Sequence, residues 1–323
     1  MLPKRIHIRE VGVREGTQFE KNPIPTHEKI RLIDLLSDCG YPAIEVVSFV
    51  SPKALQQMAD AEEVAAKIKL RPGTVYTGLC LNRNGLLRAK ATGRLTIDGL
   101  LLLYATDTFA RKNVNRSMAE IYADIPNQVA LLKSFGIDQC VVSVAAASGC
   151  NYEGDVSPEH VVGVIDRAVS IVADAGGSTR EIIFGDSMGW ATPYAVKKFI
   201  GLTQHRWPDI AIRLHLHDTH GLGMANALAG LEMGVDRYDA AIGGLGGCPF
   251  SGSKGAAGNI VSEDLVHLCN ETGVETGIDF EKLLEAAREA ERTFGRPLPG
   301  RNMHAGSLQS YRENARKATA TIA

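Results

Sequence analysis

The stretch Leu214-His215-Leu216-His217-Asp218-Thr219-His220-Gly221 reads as the end of a buried strand passing at once into the start of a helix. Successive strand residues point to opposite faces, so His215 and His217 share one face and Leu214 and Leu216 the other. Two imidazoles about 7 Å apart along a strand face can bind one divalent cation. An isolated His-x-His pair is more often an ordinary interior feature, each ring with one satisfied nitrogen. Here the pair closes a strand before a Gly-bearing turn, where α/β folds keep their active sites. That context favours a metal site.

Outward from this stretch the same strand-then-helix phrase recurs. Apolar runs predict strands over residues 6–11, 43–49, 75–81, 99–104, 140–145, 181–184, 211–217 and 237–242. Helical periodicity falls between them, over 27–39, 56–70, 84–92, 118–135, 158–175, 193–207 and 222–233. Thr26 and Ser117 are placed to cap helices, and Pro158 and Pro193 to open them. Helices follow from about residue 259 and again over 279–293. Residues 12–18 and 105–116 read as polar turns and loops, and the tail after Gly295 as loosely ordered.

Eight such alternations with short connections predict an α/β fold, a (β/α)8 TIM barrel over residues 1–295. Additional C-terminal helices complete it, and residues 296–323 form a tail. A doubly wound sheet would use fewer units, and no Gly-x-Gly-x-x-Gly follows the first strand to bind a dinucleotide.

Composition closes off other classes. The 323 residues carry a net charge of −2, with no basic bias toward nucleic acid or an anionic membrane surface. No apolar run reaches membrane-spanning length, and the N-terminus goes straight into strand-like alternation. The six cysteines are scattered, without Cys-x-x-Cys spacing, against a zinc knuckle or a secreted disulfide framework. A reducing, cytoplasmic location is expected.

In a barrel, polar residues at strand ends converge on one face. Read in order, they are Arg14 and Glu15, Glu45, Asn82, the Thr106–Lys112 segment, Ser143, Asp186, then His215, His217 and Asp218, and the Gly-rich loop at Cys248. Charged groups in an apolar barrel mouth are costly unless they pair or bind a cation. Glu45, between Ile44 and Val46, is informative for that reason. Any one carboxylate could belong to a structural ion pair; the collection argues for a site. The glycines around Cys248 suggest a mobile loop rather than a packed thiol, while the other five cysteines read as packing.

These residues carry a resemblance. Val11-Gly12-Val13-Arg14-Glu15-Gly16-Thr17-Gln18 resembles the Arg-Asp-Gly-x-Gln opening of metal-dependent barrel lyases and acyl-CoA synthases. Ile44-Glu45, Ser48-Phe49-Val50-Ser51-Pro52-Lys53, Gly185-Asp186, His215-Leu216-His217-Asp218-Thr219, Gly244-Leu245-Gly246-Gly247-Cys248-Pro249 and Gly258-Asn259-Ile260-Val261-Ser262-Glu263-Asp264 extend the match. Within that superfamily the chain is most similar to the 3-hydroxy-3-methylglutaryl-CoA lyase family, over about residues 6–284.

The resemblance implies metal ligands at Glu15, His215, His217 and Asn259, with Mg²⁺ or Mn²⁺ suited to that oxygen and imidazole set. It implies that Arg14 neutralises the enolate oxygen and that Glu45, Asp186 and Glu263 orient ligands and move protons. Cys248 would close over the substrate and act in proton transfer. The substrate would be an acyl-CoA, with Arg111 and Lys112 placed to meet its phosphates, and the assembly a homodimer. The implied reaction is retro-aldol cleavage of a 3-hydroxyacyl-CoA.

Two departures touch substrate choice. Glu15 stands where the family has Asp, moving the carboxylate by roughly 1.5 Å, and the Cys248-to-Asn259 loop is about two residues longer than the family's. Citramalyl-CoA or a longer branched 3-hydroxyacyl-CoA would need the same chemistry. A condensing synthase and a non-catalytic barrel remain as other readings; the first would usually carry a further C-terminal regulatory domain, for which the chain ends too soon.

Overall fold

The computed structural model describes residues 2–247 and 258–322. Eight parallel strands form one curled sheet: β1 (His7–Glu10), β2 (Ala43–Ser48), β3 (Val75–Leu79), β4 (Leu100–Tyr104), β5 (Gln139–Ala145), β6 (Ser178–Gly185), β7 (Ala211–His215) and β8 (Arg237–Ala240). Their spatial order follows the chain around, β3-β2-β1-β8-β7-β6-β5-β4, so first and last strands are neighbours. The remaining seam, between β3 and the approach to β4, is bridged at Thr77 and Thr96. This is the (β/α)8 barrel that the alternation predicts.

Helices cover the outside: α1 (Gly12–Phe19), α2 (Thr26–Asp38), α3 (Ala61–Lys67), α4 (Arg83–Ala91), α5 (Asp107–Val114), α6 (Met118–Ser134), α7 (Pro158–Asp174), α8 (Pro193–Arg206), α9 (Gly223–Glu232), α10 (Ser262–Thr272), α11 (Phe280–Phe294), α12 (Asn302–Ala305) and α13 (Leu308–Ile322). Local chemistry fixes their starts. Ser117 and Glu120 form a reciprocal capping box at α6, and Ser157 and Thr192 cap helices that open on Pro158 and Pro193. Outward strand residues meet the helices in a continuous apolar layer, where Phe184 and Phe199 pack 4.6 Å apart and fully buried. Burial of such a side chain contributes about 1.5–3 kcal/mol.

Several local expectations give way. Residues 12–18 form α1 rather than a turn, because the Gly12 N–H is satisfied by the buried Glu10 carboxylate at 2.7 Å and the helix can begin directly off β1. Residues 107–114 form α5, capped by Thr106, instead of a polar loop. Thr26 does not cap α2; it is the first residue of that helix and its hydroxyl donates to Asp60. The predicted helix over 56–70 is a single 3-10 turn, Gln56–Met58, followed by α3. Beyond Gly295, Leu298 and Met303 pack into the core and α12 and α13 are regular helices, so apolar contact orders what composition left loose.

The barrel's lower interior holds charge rather than an apolar plug. Arg9 (β1) makes two bonds to Asp239 (β8), at 2.9 and 2.7 Å, and reaches Asp98 at 3.5 Å. Arg213 (β7) joins Asp239 at 3.3 Å to Glu181 (β6) at 2.8 Å, and Arg237 closes on Glu181 at 2.5 Å. Every buried carboxylate of this network meets a guanidinium, which is what makes its burial tolerable.

Candidate metal centre and active site

Above that charged layer lies a cavity of about 200 Å³ at the carboxyl ends of the strands. Helix α1 turns Arg14, Glu15, Gln18 and Phe19 toward it, positions that share one helical face. His215 ends β7. His217 lies just beyond, where its backbone bridges to Asn259 and its neighbours are held by bonds from Asp218 N to Gly258 O and from Ile260 N to Leu216 O. Four residues from three distant segments thereby meet.

Glu15, His215 and His217 each offer a ligand atom within 4.8 Å of the others. The two Nε2 atoms face each other at 3.3 Å, and the Glu15 carboxylate oxygens lie 3.5 Å from His215 Nε2 and 4.0 Å from His217 Nε2. Asn259 Nδ2 donates to Glu15 Oε2 at 2.5 Å and to Leu245 O at 3.1 Å, leaving its Oδ1 buried without a partner among the described residues. Gly246 makes this closeness possible: its φ is +96°, and a Cβ there would stand 2.6 Å from Asn259 Nδ2 and 2.8 Å from Glu15 Cβ.

Electrostatics fit a cation. Burial opposes ionisation of Glu15, yet Arg14 and the two imidazoles hold its pKa down to about 2. Burial, then the neighbouring His215, push His217 down to about 4, so near pH 7 it presents a neutral ring, the form a cation would take as a ligand. For His215 the carboxylates of Glu15 and Asp239 outweigh burial and raise the pKa. The orphaned Asn259 oxygen and two facing imidazole nitrogens beside an ionised carboxylate suit a hard divalent ion.

Arg14 is clamped between Glu15, at 2.9 Å, and Glu45, so both line the cavity as one charged unit. Asp186 sits just behind it, between the lining residues Gly185 and Ser187. Its Oδ1 accepts from Trp190 N at 2.8 Å and Ala191 N at 3.1 Å, while Oδ2 has no partner among the described residues. Burial, against those N–H bonds, lifts its pKa to about 7.

Other expected residues stand elsewhere. Glu263 does not line the cavity; it is fully buried behind the Gly243 turn, accepts from Gly243 N at 3.1 Å, and burial raises its pKa to about 8. Arg111 and Lys112 lie on the solvent side of α5, Arg111 paired with Asp107 at 2.7 Å and Lys112 over the Tyr152 ring. The same helix lines the cavity with Phe109 and Asn113. Asn82 and Asp218 accept backbone N–H bonds at the starts of α4 and α9 instead of facing the site. Cys248, and most of the loop from it to Asn259, lie outside the described residues. The other five cysteines are buried and free.

Asp239 escaped the sequence reading. It accepts from His215 Nδ1 at 3.1 Å and so bears directly on how that ring is aimed. Its signal was a carboxylate between Tyr238 and Ala240 in a strand, weaker than that of Glu45 because Arg237 precedes it on the same side.

Comparison with known proteins points to one family. The HMGL-like family model matches residues 5–289. The mitochondrial hydroxymethylglutaryl-CoA lyase of Rattus norvegicus is 42% identical over 287 residues, covering 88% of this chain and 84% of that protein. The cytoplasmic 3-hydroxy-3-methylglutaryl-CoA lyase of the same species is 38% identical, covering 88% and 80%. Among solved structures, an HMG-CoA lyase from Acinetobacter baumannii in complex with coenzyme A and 3-methylmalate superposes with a TM-score of 0.84 at 36% identity, over 94% of this chain and 96% of that one. The Bacillus subtilis HMG-CoA lyase gives 0.85 at 34%, over 94% and 98%.

Proposed function

The chain belongs to the HMGL-like family, and from that membership we propose that it is a metal-dependent carbon–carbon lyase cleaving 3-hydroxy-3-methylglutaryl-CoA to acetyl-CoA and acetoacetate. The observation that carries this reading is the convergence of Glu15, His215 and His217 beside the Arg14 guanidinium at the mouth of one cavity.

Glu15, His215, His217 and the free oxygen of Asn259 would hold the ion, Mg²⁺ or Mn²⁺ in this reading. An ion held there would supply Lewis acidity toward the oxygen atoms of the substrate. Arg14, fixed between two carboxylates, presents its charge to the thioester oxygen, where negative charge gathers as the bond to the hydroxyl-bearing carbon breaks. Glu45 holds Arg14 in that position. Asp186, with one free oxygen and a pKa of about 7, is suited to take up the hydroxyl proton near neutral pH. Cys248 is assigned the return of a proton to the enolate carbon. Glu263 supports the Gly243 turn from behind.

Arg111 and Lys112, on the outer face of α5, are assigned to the coenzyme A phosphates, and a homodimer and a cytoplasmic location complete the reading. The buried free cysteines accord with a reducing compartment. No helix among the described residues is long and apolar enough to cross a membrane.

The test is acetyl-CoA release from 3-hydroxy-3-methylglutaryl-CoA with Mg²⁺ and Mn²⁺, for wild type and Cys248→Ala. Cleavage abolished by chelator and strongly cut by the substitution is expected. Metal binding without cleavage would sink the substrate assignment.

A further inference from the structure

The outer side of the barrel carries a second cavity, of about 430 Å³, between α5, α6 and α7. Its α7 wall is one helical face, His160, Gly163, Val164 and Arg167, spaced i, i+3, i+4 and i+7. Met118 and Tyr122 of α6 line it too, and the Tyr122 hydroxyl donates to Val164 O at 3.2 Å, tying the two helices together. Gly163 is the informative position. It is exposed in the interior of a 17-residue helix, where glycine weakens the helix, and a Cβ there would meet nothing within 4 Å. Packing does not call for glycine at this point; the missing side chain keeps the groove open.

The nearby carboxylates are already engaged. On α7, Glu159 pairs with Lys198 at 2.5 Å and Asp166 with Arg206 at 2.7 Å, both partners lying on α8. Asp107, at the edge of the groove, accepts from Met118 N at 2.7 Å and pairs with Arg111 at 2.7 Å. Arg167 lies over the Tyr122 ring, 4.3 Å from its centroid, and meets no carboxylate among the described residues. A guanidinium laid on an aromatic face keeps the N–H groups of its edge for an acceptor in its own plane. Met118, Val164 and the Tyr122 ring beside it favour an apolar body. We propose that this groove binds a small carboxylic acid with a compact apolar body, its carboxylate on Arg167. One guanidinium balances a monocarboxylate, whereas a phosphate dianion would bring a charge without a partner.

The groove also borders the catalytic cavity. Tyr104, which ends β4, lines both. Its hydroxyl donates to Asn113 Oδ1 at 2.8 Å and its ring meets Phe109 edge-on at 5.5 Å; both partners belong to α5 and line the catalytic cavity. An occupant of the groove therefore presses on the residue that separates the two spaces, and turnover changes when the groove is filled. That coupling rests on the lyase reading above; the binding does not.

The experiment titrates benzoate, its neutral isostere benzamide and inorganic phosphate into wild type, Arg167→Gln and Gly163→Leu by calorimetry. Wild type is expected to bind benzoate at one site per chain, about tenfold or more tighter than either control. Arg167→Gln should weaken benzoate at least tenfold. Gly163→Leu, which fills the groove and favours the helix, should abolish binding and leave kcat/KM for 3-hydroxy-3-methylglutaryl-CoA unchanged. Saturating benzoate should shift that kcat/KM at least about twofold in wild type and not in Gly163→Leu. No benzoate binding, equal binding of benzamide or phosphate, or binding retained in Gly163→Leu would overturn the site. Binding that leaves wild-type kcat/KM unmoved would overturn the coupling through Tyr104. Absence of cleavage in all three proteins would overturn the lyase reading, and the calorimetry would still decide the site.

Discussion

His215 Nδ1 lies 3.1 Å from Asp239 Oδ2, and the opposite nitrogen of the same ring faces Glu15 and His217, the other two candidate metal ligands. Burial alone would raise the Asp239 carboxyl, but Arg9, the His215 ring and Arg213 hold it well below the usual carboxylate range. A carboxylate so fixed keeps the proton of His215 on Nδ1 and the lone pair of Nε2 free for a cation.

Asp239→Asn should therefore weaken metal binding by about 10- to 100-fold, with the fold retained. Titration calorimetry with Mn²⁺ on the folded variant checks it. Unchanged affinity would show that Asp239 serves the Arg9 and Arg213 ion pairs alone.

Glu15 is the one carboxylate among the three residues that converge as candidate ligands. Glu15→Gln removes the only carboxylate of the triad and should reduce Mn²⁺ affinity at least tenfold. Glu15→Asp keeps the charge but draws it away from Asn259, so metal should still bind, with altered coordination in its paramagnetic resonance spectrum. Equal affinity in all three proteins would remove Glu15 from the ligand set.

Gly258 has a measurable steric role. A Cβ there would lie 2.2 Å from Gly246 O, a backbone atom that cannot swing aside. Gly258→Ala should displace the neighbouring Asn259 and lower both metal affinity and activity, while far-ultraviolet dichroism stays unchanged. A fully active variant would mean that Asn259 need not sit against Glu15.

Glu181 governs part of the acid stability. Burial pushes its carboxyl up, but Arg213 and Arg237 outweigh it and the net shift is downward. A depressed folded-state pKa stabilises the fold above the unfolded value, about 4.3, and that contribution is lost as pH falls through the folded value. Glu181→Gln should cost at most about 3–5 kcal/mol at pH 7, because Arg237 loses its buried partner and Arg213 keeps only Asp239 at 3.3 Å. The gap between wild type and variant should narrow below about pH 4.3. Urea unfolding at pH 7 and pH 3.5 reads both effects, and a constant gap would contradict the pairing.

The site was partly legible because charge inside an apolar strand is anomalous wherever it occurs. Glu45 and the His215, His217 pair declared themselves that way. Asp239 gave a weaker signal, because Arg237 and the short strand around it offered less contrast. Arg14 and Glu15 line the cavity from a helix where the sequence reading had only the segment after the first strand, since Gly12 and Gly16 mask the helical period of α1. Residues 107–114 were obscured by their polarity, which reflects an exposed outer helical face rather than a loop.

The sequence by itself determined the alternation of strand and helix, and with it the barrel, because side-chain periodicity and capping are local properties of the chain. It also determined which residue types would crowd the strand ends. Only the tertiary structure decided who meets whom. Asn259 and Glu15 are 244 positions apart and come within 2.5 Å because the sheet curls until β8 lies beside β1. Local patterns set the direction of each side chain; closure of the sheet sets the distances between them.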